Sequence, residues 1–139
     1  MGVPDAGAAA CRRRRTAGPE VRRQRLAGLA EAALDGRLDA ARLRSVPAGE
    51  ARAAVLELPG IGPFSADLVV VRGAGAPDVL PTAEPRLTAS LAELYGLIDP
   101  APAELAALAE PWRPYRSWVS LLVRTDRERR TGGITGRRR

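Results

Sequence analysis

The stretch LPGIGPFSADLVVVRG, residues 58–73, decides how this chain folds. A helical pattern stops at Pro59 and resumes after Pro63, because proline is tolerated in the first turn of a helix and not in its interior. Gly60 and Gly62 lie between the two prolines and can adopt backbone angles that are costly for other residues. The pattern predicts two helices joined by a tight turn, with Ile61 pointing inward to hold that turn in place.

Apolar residues recur at helical spacing on both sides of this turn, and no segment alternates convincingly with the period of two expected for a strand. The pattern and its Gly and Pro stops predict helices over residues 19–35, 39–46, 48–58, 63–72, 87–95, 103–110 and 114–124. The predicted fold class is therefore all-α, a bundle of short helices with short connections and no internal repeat.

The composition excludes several kinds of enzyme chemistry. All 22 basic side chains are arginine, and the sequence contains no Lys, no His and a single cysteine, Cys11. Without His there is no Ser-His-Asp triad and no zinc-protease motif, and without Lys there is no Schiff base and no phosphate-loop lysine. One cysteine excludes an intrachain disulfide and a four-cysteine metal site. An enzyme with this sequence must use carboxylates, hydroxyls, backbone amides or arginines.

The net charge of +6 is concentrated at the two ends of the chain. Residues 1–15 carry +3 and residues 127–139 carry +5, whereas the part between them carries −2. This distribution predicts a disordered Arg-rich segment over residues 1–18, a helical domain over residues 19–126 and a disordered basic tail over residues 127–139. Two explanations remain open, namely solvated ends that reflect a biased composition and cationic ends that hold a polyanion.

The sequence carries no sign of a membrane or export segment. No run approaches the 18 apolar residues that a membrane-spanning helix requires, and the first ten residues lack the basic start and apolar stretch of a signal peptide. These features predict a soluble cytoplasmic protein, associated with the nucleoid if it binds DNA.

The turn at residues 59–63 also has a chemical use. Glycines without side chains leave backbone amides uncovered at the start of the next helix, where Ser65 can help to satisfy them. Such an arrangement binds a phosphate group without reading base sequence. The alternative is an ordinary tight turn between two helices, in which Gly and Pro are common.

Three stretches together resemble the helix-hairpin-helix DNA glycosylase superfamily, in particular the bacterial DNA-3-methyladenine glycosylase II group. They are LPGIGPFSADLVVVRG, the DV within APDVLP, and EPWRPYRSWVSLLVR, and they cover residues 58–125, with weaker similarity back to residue 25. The resemblance implies a base-excision repair enzyme that acts on damaged double-stranded DNA. It would hydrolyse the N-glycosidic bond of a flipped-out alkylated base, without lyase activity. The DNA backbone would be bound by Pro59, Gly60, Ile61, Gly62 and Ser65.

In that family a carboxylate stabilises the cationic sugar and orients a water molecule. Counting without gaps from the hairpin places this carboxylate at Glu84, where the family has the shorter Asp. A second alignment places Pro81 or Thr82 there and leaves no carboxylate at the site. Without a catalytic role, Glu84 would be an acidic residue at the start of a helix, ahead of Pro85.

The resemblance also assigns a base pocket and a cation site. Phe64, Leu68 and Arg124 take positions at which the family has aromatic residues in the base pocket. Leu68 and Arg124 are not aromatic, so the resemblance does not specify which damaged base the pocket would bind. Trp112, Tyr115 and Trp118 are predicted in the core, and Arg116 is expected to hold a buried carboxylate such as that of Glu84. No cofactor is required and no iron–sulfur cluster is expected. A monovalent cation, Na⁺ or K⁺, can bind the backbone carbonyls of Leu56, Leu58 and Ile61.

The length of the chain keeps several alternatives open. In this superfamily the base pocket lies between two helical halves, and the sequence resembles only the second of them. The expectation is a monomer, unless a partner supplies the other half. A truncated chain or a misassigned start would explain the same observation. The alternative functions are a non-catalytic module that binds the DNA backbone and an inactive glycosylase remnant.

Overall fold

The computed structural model describes residues 18–132, and these residues form helices and turns without any strand. The all-α prediction is therefore confirmed. The helices are α1 (Pro19–Leu34), α2 (Ala40–Arg44), α3 (Ala48–Leu56), α4 (Pro63–Leu68), α5 (Pro85–Tyr95), α6 (Pro102–Leu108) and α7 (Arg116–Thr131). α4 continues into a π-helical turn, Val69–Gly73, and a 3₁₀ turn, Glu110–Trp112, precedes α7. The predicted disordered segment over residues 1–18 lies outside the described residues, apart from Gly18.

The apolar core consists of two small clusters. The first lies between α2, α3, α4 and the π turn, and its buried members are Leu43, Ala51, Val55, Ala66, Val70 and Ala74. The second joins α5 and α6 through Leu87, Leu91 and Leu105. A fully buried Leu or Val contributes about 1.5–3 kcal/mol. The many alanines in the first cluster mean that its helices pack through short side chains.

The turn between α3 and α4 forms as predicted. The amide of Ile61 donates to the carbonyl of Leu58 at 3.2 Å, and Gly60 adopts a φ of +82°, which a larger residue would adopt only at a cost. The Ile61 side chain is half-buried and packs against the first cluster. Pro63 is the first residue of α4. The turn is therefore anchored from inside while its backbone stays at the surface.

α1 packs against this turn through its small residues. A Cβ atom at Gly28 would lie 2.6 Å from Cγ of Pro59, so this close approach requires glycine. Only Ala32 of α1 is buried, whereas Leu26 and Leu34 are 67% and 88% exposed. The helical spacing of its larger apolar residues therefore does not mark a buried face.

The last helix extends further than its pattern predicted. α7 runs to Thr131 and ends at Gly132, which has a φ of +68°. The prediction that a disordered tail starts at residue 127 is thus wrong for residues 127–131, and residues 133–139 lie outside the described part. Ion pairs explain the extension: Arg130 contacts Asp126 at 2.8 Å and Glu93 of α5 at 3.1 Å.

The same contacts change the ionisation of Arg130. The hydrogen bond to Asp126, followed by the one to Glu93, raises the pKa of the Arg130 guanidinium above its ordinary value.

The face that α7 presents to the interior is polar. Tyr115 and Trp118, which were predicted in the core, are 60% and 59% exposed, and only Trp112 packs against the second cluster. Ser117 and Ser120 face inward instead, and their hydroxyls donate to the carbonyls of Ala76 and Arg116, both at 2.7 Å. A satisfied hydroxyl can be buried at little cost. Among the described helices, none is long and apolar enough to cross a bilayer.

Candidate active site

Glu84 lies at the start of α5, and its side chain is only 8% exposed. It is the N-cap residue of that helix, but the carboxylate makes no capping hydrogen bond. Instead, Nη1 of Arg124 lies 2.9 Å from Oε1 of Glu84. The contact is an ion pair without the angles of a hydrogen bond, so Oε1 has no hydrogen-bond donor among the described residues. Glu84 is therefore a buried carboxylate with one incompletely satisfied oxygen.

The partner of Glu84 differs from the one expected. Arg116 does hold a carboxylate, but that carboxylate belongs to Asp78, with Nε 2.7 Å from Oδ1. The ion pair to Glu84 is made by Arg124, which also donates from Nε to Oε1 of Glu128 at 3.1 Å. Two of the three guanidinium nitrogens of Arg116, Nε and Nη2, donate to Asp78. Arg124 was assigned to the base pocket, and the structure adds to that position a role in orienting Glu84.

One small cavity brings the predicted catalytic residue together with two predicted pocket residues. It has a volume of about 30 Å³ and is lined by Glu84, Leu68 and Arg124. Asp67 also lines it, and so do Ser117 and Ser120. Phe64, the third predicted pocket residue, is 43% exposed and does not line the cavity.

A wider groove adjoins this cavity. It has a volume of about 330 Å³, and it shares Val71, Arg72, Ser117 and Leu121 with the smaller cavity. Trp118 lines the groove. An exposed indole next to apolar side chains can stack on a planar base. Trp118 is thus a candidate pocket residue that the helical spacing concealed, since the spacing assigned it to the core.

Asp67 is the second candidate that the sequence analysis missed. Its side chain is 4% exposed, and Oδ1 accepts a hydrogen bond from Nε of Arg52 at 2.5 Å. Its other oxygen, Oδ2, is buried and has no donor among the described residues. The sequence does contain an indication of this role, because Asp67 is the only charged residue in the otherwise uncharged run FSADLVVV. A buried carboxylate in such a run requires partners from elsewhere in the fold.

The hairpin presents backbone amides as predicted. Within residues 18–132, the amides of Gly60, Gly62, Phe64 and Ser65 donate to no backbone carbonyl, and no side chain caps α4. The aliphatic part of Arg25 lies over the turn, since a Cβ atom at Gly60 would be 2.7 Å from Cδ of Arg25. Uncovered amides beside an arginine suit an anionic group.

The proposed cation ligands have oxygen atoms to offer. Among the described residues, the carbonyls of Leu56 and Ile61 accept no backbone hydrogen bond, and that of Leu58 accepts one, from Ile61. A carbonyl oxygen has two lone pairs, so all three retain the capacity to bind a further group. Backbone carbonyl oxygens of this kind coordinate monovalent cations in proteins. The chemistry of these oxygens therefore suits a Na⁺ or K⁺ ion.

Asp78 ties the connection before α5 to the start of α7. Its carboxylate accepts hydrogen bonds from the Arg116 guanidinium at 2.7 and 3.1 Å and from Arg113 at 2.9 Å. The Arg116 hydrogen bonds, opposed by partial burial, hold the pKa of the Asp78 carboxyl below its ordinary value of 3.8. The hydrogen bond to Glu110 and the charge of that residue, followed by the charge of Asp78, raise the pKa of Arg113 above its ordinary value. This junction positions Ser117, and with it one wall of the cavity.

We expect Asp78→Asn to lower the free energy of unfolding by about 1 kcal/mol at neutral pH, because its charge-assisted hydrogen bonds to Arg116 are weakened while solvent already screens part of the interaction. A carboxyl whose pKa is lowered by folding stabilises the fold above its unfolded pKa, and this contribution is lost as the pH falls through the folded pKa. The difference between wild type and variant should therefore shrink below about pH 4. Urea unfolding at several pH values measures it. A difference that stays constant down to pH 2 would contradict the assignment.

Comparison with known proteins identifies two relatives. The chain is 38% identical over 73 residues to a probable bifunctional transcriptional activator/DNA repair enzyme, AlkA, of Mycobacterium tuberculosis. The matched segment makes up 50% of this chain and 14% of that protein. The chain is 31% identical over 70 residues to a putative DNA-3-methyladenine glycosylase, YfjP, of Bacillus subtilis. This second matched segment makes up 50% of this chain and 24% of that protein. About half of this chain is therefore similar to segments of a probable DNA repair enzyme and of a putative DNA glycosylase. The resemblance drawn from the sequence is confirmed.

The match to these relatives is partial. It covers less than a quarter of either protein's length, with 14% and 24% matched. No family model matches the glycosylase-like chain, and no solved structure matches it. The likeness therefore concerns a segment, and the activity of the whole relatives enters below only as a proposal.

Proposed function

We propose that this glycosylase-like chain acts in base-excision DNA repair and hydrolyses the N-glycosidic bond of a damaged, flipped-out base. One observation carries the proposal. Glu84, Leu68 and Arg124, which the resemblance assigns to catalysis and to the base pocket, line the same cavity although they lie on three different helices or helix ends. That cavity opens beside a groove with an exposed tryptophan.

The residues of this site suit the chemistry of base release. As the bond between C1′ and the base nitrogen breaks, its electron pair leaves with the base and the sugar becomes cationic. A carboxylate held in a poorly solvated site stabilises that cation strongly, because little water screens the charge. Glu84 is the proposed carboxylate, and Arg124 orients it. The base would lie in the groove against Trp118.

The hairpin supplies the proposed contact with DNA. Its free amides and the nearby Arg25 can bind phosphate oxygens without contacting bases. Binding of this kind does not depend on sequence and weakens steeply with salt. A bound monovalent cation at the carbonyls of Leu56, Leu58 and Ile61 would add a positive charge at the same surface.

A second candidate function is a non-catalytic module that binds the DNA backbone. The observation that favours it is the burial of Glu84, whose side chain is 8% exposed and paired with Arg124. A buried ion pair is also a common structural feature, and a structural carboxylate would leave the hairpin as the only functional part.

The experiment that separates the two functions uses the purified chain and methylated duplex DNA. Chromatography of the supernatant measures free alkylated base, and a gel before alkali treatment measures strand cleavage. Base release above the spontaneous rate without strand cleavage supports the glycosylase. Salt-sensitive binding without release supports the second candidate, and the absence of both binding and release contradicts both proposals.

Gly62→Val tests the hairpin without disturbing the fold. Gly62 has a φ of −102°, and no atom lies within 4 Å of a Cβ added there, so valine fits the folded chain. Its side chain would cover the neighbouring amides. We expect the Kd for duplex DNA to rise about tenfold or more, the equivalent of one lost charge-assisted hydrogen bond.

Gly49→Val is the matched control, because that glycine also has open space around it and lies on α3, away from the turn. Fluorescence anisotropy at several salt concentrations measures both variants, and thermal unfolding checks that Gly62→Val stays folded. Equal DNA affinity of wild type and a folded Gly62→Val variant would contradict the hairpin as the contact surface.

A further inference from the structure

Within residues 18–132, two buried carboxylate oxygens accept no hydrogen bond of good geometry. They are Oδ2 of Asp67 and Oε1 of Glu84, and they are the buried side-chain atoms without a hydrogen-bond partner among the described residues. The two side chains are 4% and 8% exposed. Leaving such an oxygen unsatisfied costs several kcal/mol, so native proteins normally provide a donor. Both residues line the same cavity of about 30 Å³.

The side chains around the cavity do not provide that donor. The hydroxyl of Ser117 donates to the carbonyl of Ala76 and that of Ser120 donates to the carbonyl of Arg116. Arg124 approaches Oε1 of Glu84 without hydrogen-bond geometry. A molecule in the cavity would supply a donor with good geometry that the described side chains do not.

The size and the charge of the cavity identify this molecule. A volume of about 30 Å³ accommodates a water molecule and excludes a sugar or a base. Each carboxylate already faces one arginine, Asp67 facing Arg52 and Glu84 facing Arg124. The negative charge is compensated, which favours a neutral donor over a metal ion. Water has two O–H donors, one for each unsatisfied oxygen.

We propose that Asp67 and Glu84 jointly hold one water molecule, and that Asp67 is a second positioning residue for hydrolysis. The proposal rests on the glycosylase function. A water that donates both protons to carboxylates directs its lone pairs away from them, and Val71 and Leu121 line both this cavity and the adjoining groove. Its oxygen would bond to C1′ as the base departs with the electrons of the broken bond, and one water proton would pass to a carboxylate.

The first test compares Asp67→Asn with Arg52→Met. Both variants break the ion pair between the two residues, but only the first replaces the oxygen that holds the water. If Asp67 has only a structural role, Arg52→Met should lower base release at least as much as Asp67→Asn does, because Arg52→Met leaves the buried Asp67 carboxylate unpaired. We expect Asp67→Asn to lower kcat for base release about tenfold or more with little change in KM, and Arg52→Met to lower it less than about threefold.

The second test does not depend on activity or on a variant that folds. A high-resolution crystal structure of the wild-type chain should contain a water about 2.6–3.2 Å from both Oδ2 of Asp67 and Oε1 of Glu84. An empty cavity, or a water bound to only one of the oxygens, overturns the proposal.

The outcomes separate this proposal from the proposed function. If Glu84→Gln abolishes base release and a folded Asp67→Asn does not, the role of Asp67 is wrong and the glycosylase stands. If the wild type releases no base, the proposed glycosylase function is wrong, and so is the hydrolytic role of Asp67. The crystal structure alone then decides whether the two carboxylates share a water molecule.

Discussion

Glu84→Gln is expected to lower the rate of base release from methylated DNA by about 100-fold or more. The amide has nearly the same shape as the carboxylate, so the variant removes the negative charge that stabilises the cationic sugar while it keeps the packing. Arg124 retains Glu128 as a partner, with Nε 3.1 Å from Oε1, so its charge is not left unpaired. The rate is measured by single-turnover release of free base, which excludes differences in DNA binding.

Glu104→Gln is the control for this prediction, because Glu104 is an exposed acid on α6 and lies outside the cavity. It should release base at the wild-type rate. Full activity of Glu84→Gln would support the alternative alignment, in which this place holds no catalytic carboxylate. An unchanged DNA affinity of the same variant would show that the loss lies in the chemical step.

Arg124→Met is expected to lower the free energy of unfolding by about 3–5 kcal/mol. The variant leaves the Glu84 carboxylate buried without its cation, and it also frees Glu128, whose side chain is 24% exposed. Breaking a buried pair from one side costs more than removing both partners, because an uncompensated charge remains. Urea unfolding monitored by tryptophan fluorescence measures the loss.

Two further variants make this prediction specific. Arg127→Met removes an arginine from the same helix, but its contact with Glu93 is a 3.6 Å pair near the surface, so the loss should stay below about 1 kcal/mol. The double variant Glu84→Gln/Arg124→Met should regain much of the stability lost in Arg124→Met. A loss below about 1 kcal/mol in Arg124→Met would mean that Glu84 is not held by this arginine.

The helices and the hairpin could be predicted because their causes are local. Pro63 begins α4, Gly60 adopts the positive φ of the turn, and Gly96 ends α5 with a φ of +66°. Each of these effects depends on the backbone of one residue and its immediate neighbours. The likeness to DNA glycosylases was visible for the same reason, since it rests on contiguous motifs.

The orientation of α7 could not be predicted from its apolar stripe, because that stripe lies on the exposed face of the helix. Tyr115 and Trp118 form an apolar stripe at helical spacing, yet the face with Ser117 and Ser120 is the buried one. The choice depends on carbonyls of a connection about 40 residues earlier in the chain, the Ala76 carbonyl among them, and on the ion pair of Arg116 with Asp78. Such partners are distant in sequence, so the period of the helix carries no information about them.

The sequence alone determined the fold class, the tight turn between α3 and α4, and the likeness of half of the chain to DNA repair proteins, because all three depend on short contiguous patterns. Only the tertiary structure decided that Arg124 holds Glu84, that Asp67 lines the same cavity, and that Trp118 lies exposed beside it. A buried charge takes whichever partner the packing of distant helices brings within reach. The chemistry of this site is therefore a property of how α4, α5 and α7 meet.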